Sequence, residues 1–178
     1  MWVDVHDDGS CHVGIDALMA AFITEVERLQ FVVAGSVLQP AAVLTVREID
    51  LPLTFPEKIR VKGVNAYLRA RPDRLTSHPY SLGWLFEGIL GDSPEGGVRR
   101  LEGQRAIGNG EASQWMKRES RRLDEFIRDK IIPTNATDLV TMTDGGTWNE
   151  GLITHLTREE ILRVWSAFFA FPGDLPVL

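Results

Sequence analysis

Cys11 is the only cysteine in the chain. One thiol excludes an internal disulfide framework and any CxxC zinc site, and it fits a reducing compartment. Long apolar runs are missing as well, since nothing approaches the roughly 18 residues that a membrane span needs. The sequence opens on Trp2 and acidic residues, where a secretory leader would place basic charge before an apolar stretch. Neither export nor membrane insertion is expected, and the expected location is the cytoplasm. A concentration of one charge sign is also lacking. The 19 basic and 25 acidic side chains leave a net charge of -6 distributed over both halves, so no basic face points to nucleic acid or an anionic membrane.

What remains is an ordinary globular composition. Hydrophobic residues are 44% of the 178 positions, enough for a packed core and far from the polar make-up of disordered chains. The length allows one domain with a sizeable extension and argues against a large multidomain enzyme.

The first ninety residues read as short strands divided by turns. Trp2-Val3-Asp4-Val5 alternates apolar and polar, Asp7-Asp8-Gly9-Ser10 is turn chemistry, and Cys11-His12-Val13-Gly14 resumes the strand, which together predict a hairpin. Asp16 is placed to cap a short helix over residues 17–22. Further strands are predicted over 29–33, 43–46, 59–64 and 82–87, a density of strand and turn that suggests a small sandwich or barrel. In the second half, Ala112, Trp115, Met116, Leu123, Phe126, Ile127 and Ile131 recur at steps of three, four and seven. That spacing gives an amphipathic helix, and Pro133 stops it. Thr157 with Glu160 forms a capping-box sequence ahead of a second helix carrying Ile161, Leu162, Trp165, Phe168 and Phe169. A hairpin about Asp144-Gly145 is expected between the two helices.

Several of these residues also form a pattern. Val64-Asn65-Ala66-Tyr67-Leu68, continued through Arg71-Pro72 to Pro79-Tyr80-Ser81-Leu82-Gly83-Trp84-Leu85, resembles the H protein of the glycine cleavage system. Trp2-Val3 and Val13-Gly14-Ile15-Asp16 resemble the opening of that family, so the likeness covers residues 2 to 88. It implies an α+β chain whose first half is a barrel-sandwich hybrid of the lipoyl and biotinyl carrier kind. The expected units are 1–88 for this domain, 89–110 for a Gly-rich linker, and 111–178 for a helical extension with no counterpart in the family.

The family works through one lysine at a hairpin tip, where a lipoyl group is amide-linked. The matching stretch here is Val46-Arg47-Glu48-Ile49-Asp50-Leu51-Pro52-Leu53, and residues 41–57 contain no lysine. The resemblance puts the degenerate lipoyl position near Ile49 and Asp50. Arg47 is no substitute, because a protonated guanidinium is a poor nucleophile. The expectation is therefore a non-enzymatic interaction or scaffold subunit without lipoate, held in a larger assembly of the redox or one-carbon kind. The alternative is a lipoyl or acyl carrier that uses an atypical lysine such as Lys58.

Partner anchors are expected among Trp115, Trp165, Phe168 and Phe169, since large aromatics are enriched at interfaces. Association with a second copy stays open. No catalytic set, cofactor or metal site is expected. His6, Asp7, Asp8, Cys11 and His12 are rich in potential ligands, but strand alternation turns Cys11 and His12 to opposite faces. Gly103 to Gly110 lacks the phosphate-loop pattern.

Overall fold

The computed structural model describes residues 1–32, 39–56, 58–90, 109–131 and 152–170. The element order is β1 (Trp2–Val5), β2 (Ser10–Gly14), α1 (Ala17–Ile23), β3 (Arg28–Val32), β4 (Ala41–Val46), β5 (Ile49–Thr54), β6 (Ile59–Val64), α2 (Tyr67–Ala70), α3 (Asp73–Ser77), β7 (Trp84–Leu90), α4 (Asn109–Phe126), α5 (Leu152–His155) and α6 (Arg158–Phe168). A π-helical turn, Ile127–Ile131, continues α4. The chain is α+β, with strands in the first half and helices following, as the sequence suggests. The expected hairpin about Asp144-Gly145, most of the 89–110 linker and the apolar end at 175–178 lie outside the described residues.

Among the described residues two antiparallel sheets form, one in the order β1-β2-β7-β6 and one in the order β3-β4-β5. In the second sheet, alternation decides which side is inward. Ala42, Leu44 and Val46 of β4 are buried, as are their partners Leu53, Leu51 and Ile49 of β5. These residues share one face because side chains alternate with a period of two. The sheets meet through Phe31 of β3 and Phe86 of β7, whose rings are 5.4 Å apart and edge-on. Val13 and Phe86 also line a small apolar void with Leu53 and Phe55. Asp16 caps α1, its carboxylate accepting the Met19 N–H at 2.9 Å, which turns Leu18, Met19, Phe22 and Ile23 into the interior.

The second half supplies part of the same interior. Leu123, Ile127 and Ile131 are buried at four-residue spacing, and Ile153, Leu156, Ile161, Val164 and Trp165 join the cluster that holds Leu44 and Leu51. Helix α6 starts on the expected capping box: the Glu160 carboxylate accepts the Thr157 N–H at 2.7 Å, and the Thr157 side chain accepts from the Glu160 N–H. The Phe22 and Phe169 rings are 5.3 Å apart, so α1 and the end of α6 touch. The stretches on either side of 89–110 therefore share one core.

Candidate functional site

The hairpin joining β4 to β5 turns in two residues. Val46 pairs with Ile49, leaving Arg47 and Glu48 at the tip with φ of 51° and 60°. Two consecutive residues with positive φ make the type I′ turn that suits the twist of a hairpin. Glycine or asparagine usually fills these places. A side chain there costs about 1–2 kcal/mol per residue, so surrounding contacts have to hold the conformation.

Those contacts are present. Arg47 Nη1 donates to the carbonyl of Ile153 and, at 2.9 Å, to that of Leu156. Leu156 follows the end of α5, and the Ile153 carbonyl also accepts the Leu156 N–H at 3.3 Å. On the other side of the turn, the Glu48 N–H donates to Glu27 at 3.2 Å. Toward the open end of the same hairpin, Trp165 Nε1 donates to the Pro52 carbonyl at 2.8 Å. Pro52 lies in β5, an edge strand of its sheet, where a residue without an N–H is tolerated. The Trp165 indole caps that edge. The hairpin is thus bound by the C-terminal segment at its tip and again toward its open end.

Ile49 and Asp50, the positions flagged by the sequence, are the first two residues of β5 rather than the apex. Ile49 is in the core at 3% exposure. Asp50 accepts the Thr45 hydroxyl at 2.7 Å and lies 3.6 Å from Arg28; Glu27, Arg28, Thr45, Glu48 and Asp50 line one open polar groove. Lys58 is exposed just before β6 and Lys62 is exposed within it, so neither lysine is on the β4–β5 turn.

The four aromatic candidates separate. Trp165 is 2% exposed and Phe169 8%, so neither faces solvent: an edge carbonyl and the Phe22 ring cover them. Phe168 is half-buried between Phe126, at 5.2 Å, and the Arg122 guanidinium, at 5.7 Å. Trp115 is half-buried on the first half of α4. The interior position of Trp165 was not readable from helical periodicity, which identifies an apolar face but not what lies against it.

The motif residues of the 64–85 segment hold one loop in shape. Asn65 Nδ2 donates to the carbonyls of Leu82 at 3.0 Å and Trp84 at 2.9 Å. Trp2 Nε1 donates to Pro79 O at 2.9 Å, and the Tyr80 hydroxyl accepts the Ala17 N–H at 3.0 Å. A side chain at Gly83 would place its Cβ 2.8 Å from the Arg74 and His78 carbonyl oxygens. Tyr67, Tyr80 and Leu82 remain exposed at the surface of this loop. His78, in the same segment, is exposed beside the Ser77 hydroxyl at 2.9 Å.

On the first hairpin, Cys11 is fully buried while His12 lies on the opposite, half-exposed side. Among the described residues, no group of three or more His, Cys, Asp or Glu side chains could hold a metal ion. No described helix is long and apolar enough to cross a membrane.

Asp73 is held below its ordinary carboxylate value by the bidentate Arg71 guanidinium, with bonds of 3.0 and 3.1 Å. Asp124 is raised, chiefly by burial, with Arg128 pulling the other way. Neither lies at the hairpin tip.

No protein-family model matches the chain, and no curated protein matches it. Among solved structures, the chain is similar to the glycine cleavage system H protein of Mycobacterium marinum, at 20% identity over 51% of this chain and 80% of that one, with a TM-score of 0.44.

Proposed function

We propose that this chain is a non-catalytic interaction subunit: an H-protein-like scaffold without lipoate, held in a larger redox or one-carbon assembly. The observation that carries the reading is the Arg47-Glu48 turn. A carrier arm needs a primary amine on an exposed, mobile tip, because attachment acylates that nitrogen. This turn offers a guanidinium, and the guanidinium is already engaged by the carbonyls of Ile153 and Leu156. Burying Trp165 against Pro52 adds a second tie at the base of the same hairpin. A swinging arm and a fastened tip are opposite designs.

With Trp165 and Phe169 used internally, the C-terminal helices act as a brace, and the partner surface belongs to what is left outside. Trp115 and Phe168 keep part of their area exposed, and Tyr67, Tyr80 and Leu82 add exposed apolar area on the strand-rich half. Such residues are the types enriched in the centres of interfaces.

The test is to isolate the tagged full-length chain from its native host at endogenous level and measure the mass of the particle. A stoichiometric complex that survives Lys58→Arg but is lost on Trp115→Glu or Tyr67→Glu supports the scaffold. A monomer bearing an acyl group on Lys58 supports the carrier reading instead.

A further inference from the structure

We infer that His6 and His12 form a two-ligand surface site for Zn2+ on the first hairpin. The residues are not directly opposite one another. His12 pairs with Asp4, while the His6 N–H donates to the Ser10 carbonyl at 2.8 Å, so the two imidazoles are diagonal neighbours across the turn. The right-handed twist of a two-stranded ribbon brings such diagonals within reach of long side chains. Here His6 Nε2 comes to 3.2 Å from His12 Nδ1, with the rings edge-on at 82° and 5.0 Å between centroids.

That separation is informative. Two imidazole nitrogens, each about 2.0–2.1 Å from a tetrahedral Zn2+, sit roughly 3.3 Å apart, whereas a 90° pair at the same bond length would sit at about 2.9 Å. The observed 3.2 Å, the length of the hydrogen bond between the two rings, falls between these values, so the pair can close on one ion with little movement. Without the ion, one nitrogen carries a hydrogen and donates it to the other. On binding, that hydrogen moves to the far nitrogen of its own ring, a tautomer change that frees both lone pairs and releases no net proton.

The site is preorganised on both sides. His12 stacks on the Trp84 indole at 4.7 Å and 28°, which fixes its plane. The turn carrying His6 is held by Asp8, which accepts the Ser10 N–H at 2.9 Å and hydroxyl at 2.6 Å, and by Gly9, whose N–H donates to the His6 carbonyl at 3.0 Å. Since no third donor joins the two imidazoles among the described residues, the remaining coordination positions are open to water or to a donor from outside the chain. Cys11 takes no part, being on the inner face.

The test is calorimetric titration of the full-length chain with zinc chloride. One saturable site is expected, and His6→Ala and His12→Ala should each weaken it by more than the roughly 10–100-fold that losing an outer-shell partner alone can cost. His78→Ala and His155→Ala, which change the other two histidines, should leave it unaltered. His6 is exposed and makes no core contact, so loss of zinc in His6→Ala is not a folding effect. The absence of a saturable site, or undiminished binding in the double variant His6→Ala/His12→Ala, overturns the assignment.

Discussion

Arg47 donates to the carbonyl of Leu156 across 109 positions of sequence, at 2.9 Å. This contact fastens the apex of the β4–β5 hairpin to the end of α5 and offsets the unfavourable φ of two consecutive non-glycine residues. Replacing Arg47 by Met should remove the guanidinium from the Leu156 carbonyl and leave the Ile153 carbonyl with the Leu156 N–H alone. Hydrogen bonds involving a charged group contribute about 1.5–3 kcal/mol, and the exposed stem of Arg47 puts the expected loss near the lower end. In urea unfolding, the midpoint should fall while the slope stays constant. An unchanged midpoint would mean that the turn is held by β pairing alone.

Trp165→Ala removes a nearly fully buried indole, a change that typically costs about 3–5 kcal/mol. Because both sheets and the C-terminal helices share one core, the loss should appear as a single transition of the whole chain. Far-ultraviolet and near-ultraviolet circular dichroism should then melt together. Trp165→Phe, which keeps one aromatic ring but loses ring area and the bond to Pro52, should cost less than Trp165→Ala. Two separated transitions would show that the helices form a unit of their own.

Gly83→Ala tests the packed loop. Its Cβ would meet two backbone carbonyl oxygens at 2.8 Å, and backbone cannot step aside as a side-chain end can. Asn65→Ala strips the Leu82 and Trp84 carbonyls of their shared donor and should cost about 1–3 kcal/mol. Both variants should lower the melting temperature, with the Asn65 substitution leaving Trp2 still bonded to Pro79. A Gly83→Ala protein as stable as the parent would contradict the close approach described for this loop.

Asp124 gives a pH dependence of defined sign. Burial raises its folded-state value above the ordinary 3.8, so the folded chain holds that proton more tightly than the unfolded one. Stability from this group is therefore greatest below the unfolded value and falls as pH rises through the folded one. Asp124→Asn should be more stable than the parent at neutral pH, and the advantage should vanish below about pH 3.8. An advantage that persisted unchanged at acid pH would have to come from packing.

The sequence disclosed local order better than it disclosed neighbours. Asp16 and Thr157 announced their helices because capping depends on residues within one turn, and the alternation in 2–5 and 11–14 announced the first hairpin for the same reason. Strand β5 was harder to read because Pro52 argues against a strand unless the edge is known to be capped. The role of Arg47 was invisible: its partners lie 106 and 109 residues away, and no local pattern encodes them. Trp165 and Phe169 show the same limit, since periodicity placed them on an apolar face without saying that the face was already occupied. The His6–His12 contact is an intermediate case. Alternation separated His12 from Cys11, and only the diagonal set by the turn brought the His6 and His12 nitrogens together.

The central claim, that the hairpin tip is fastened and carries no lipoyl arm, is tested most directly by the intact mass of the protein purified from its native host. The account predicts that Lys58, Lys62, Lys117 and Lys130 all appear without an added lipoyl group. A population heavier by one lipoyl group, mapped by fragmentation to Lys58 or to any other lysine, would contradict it.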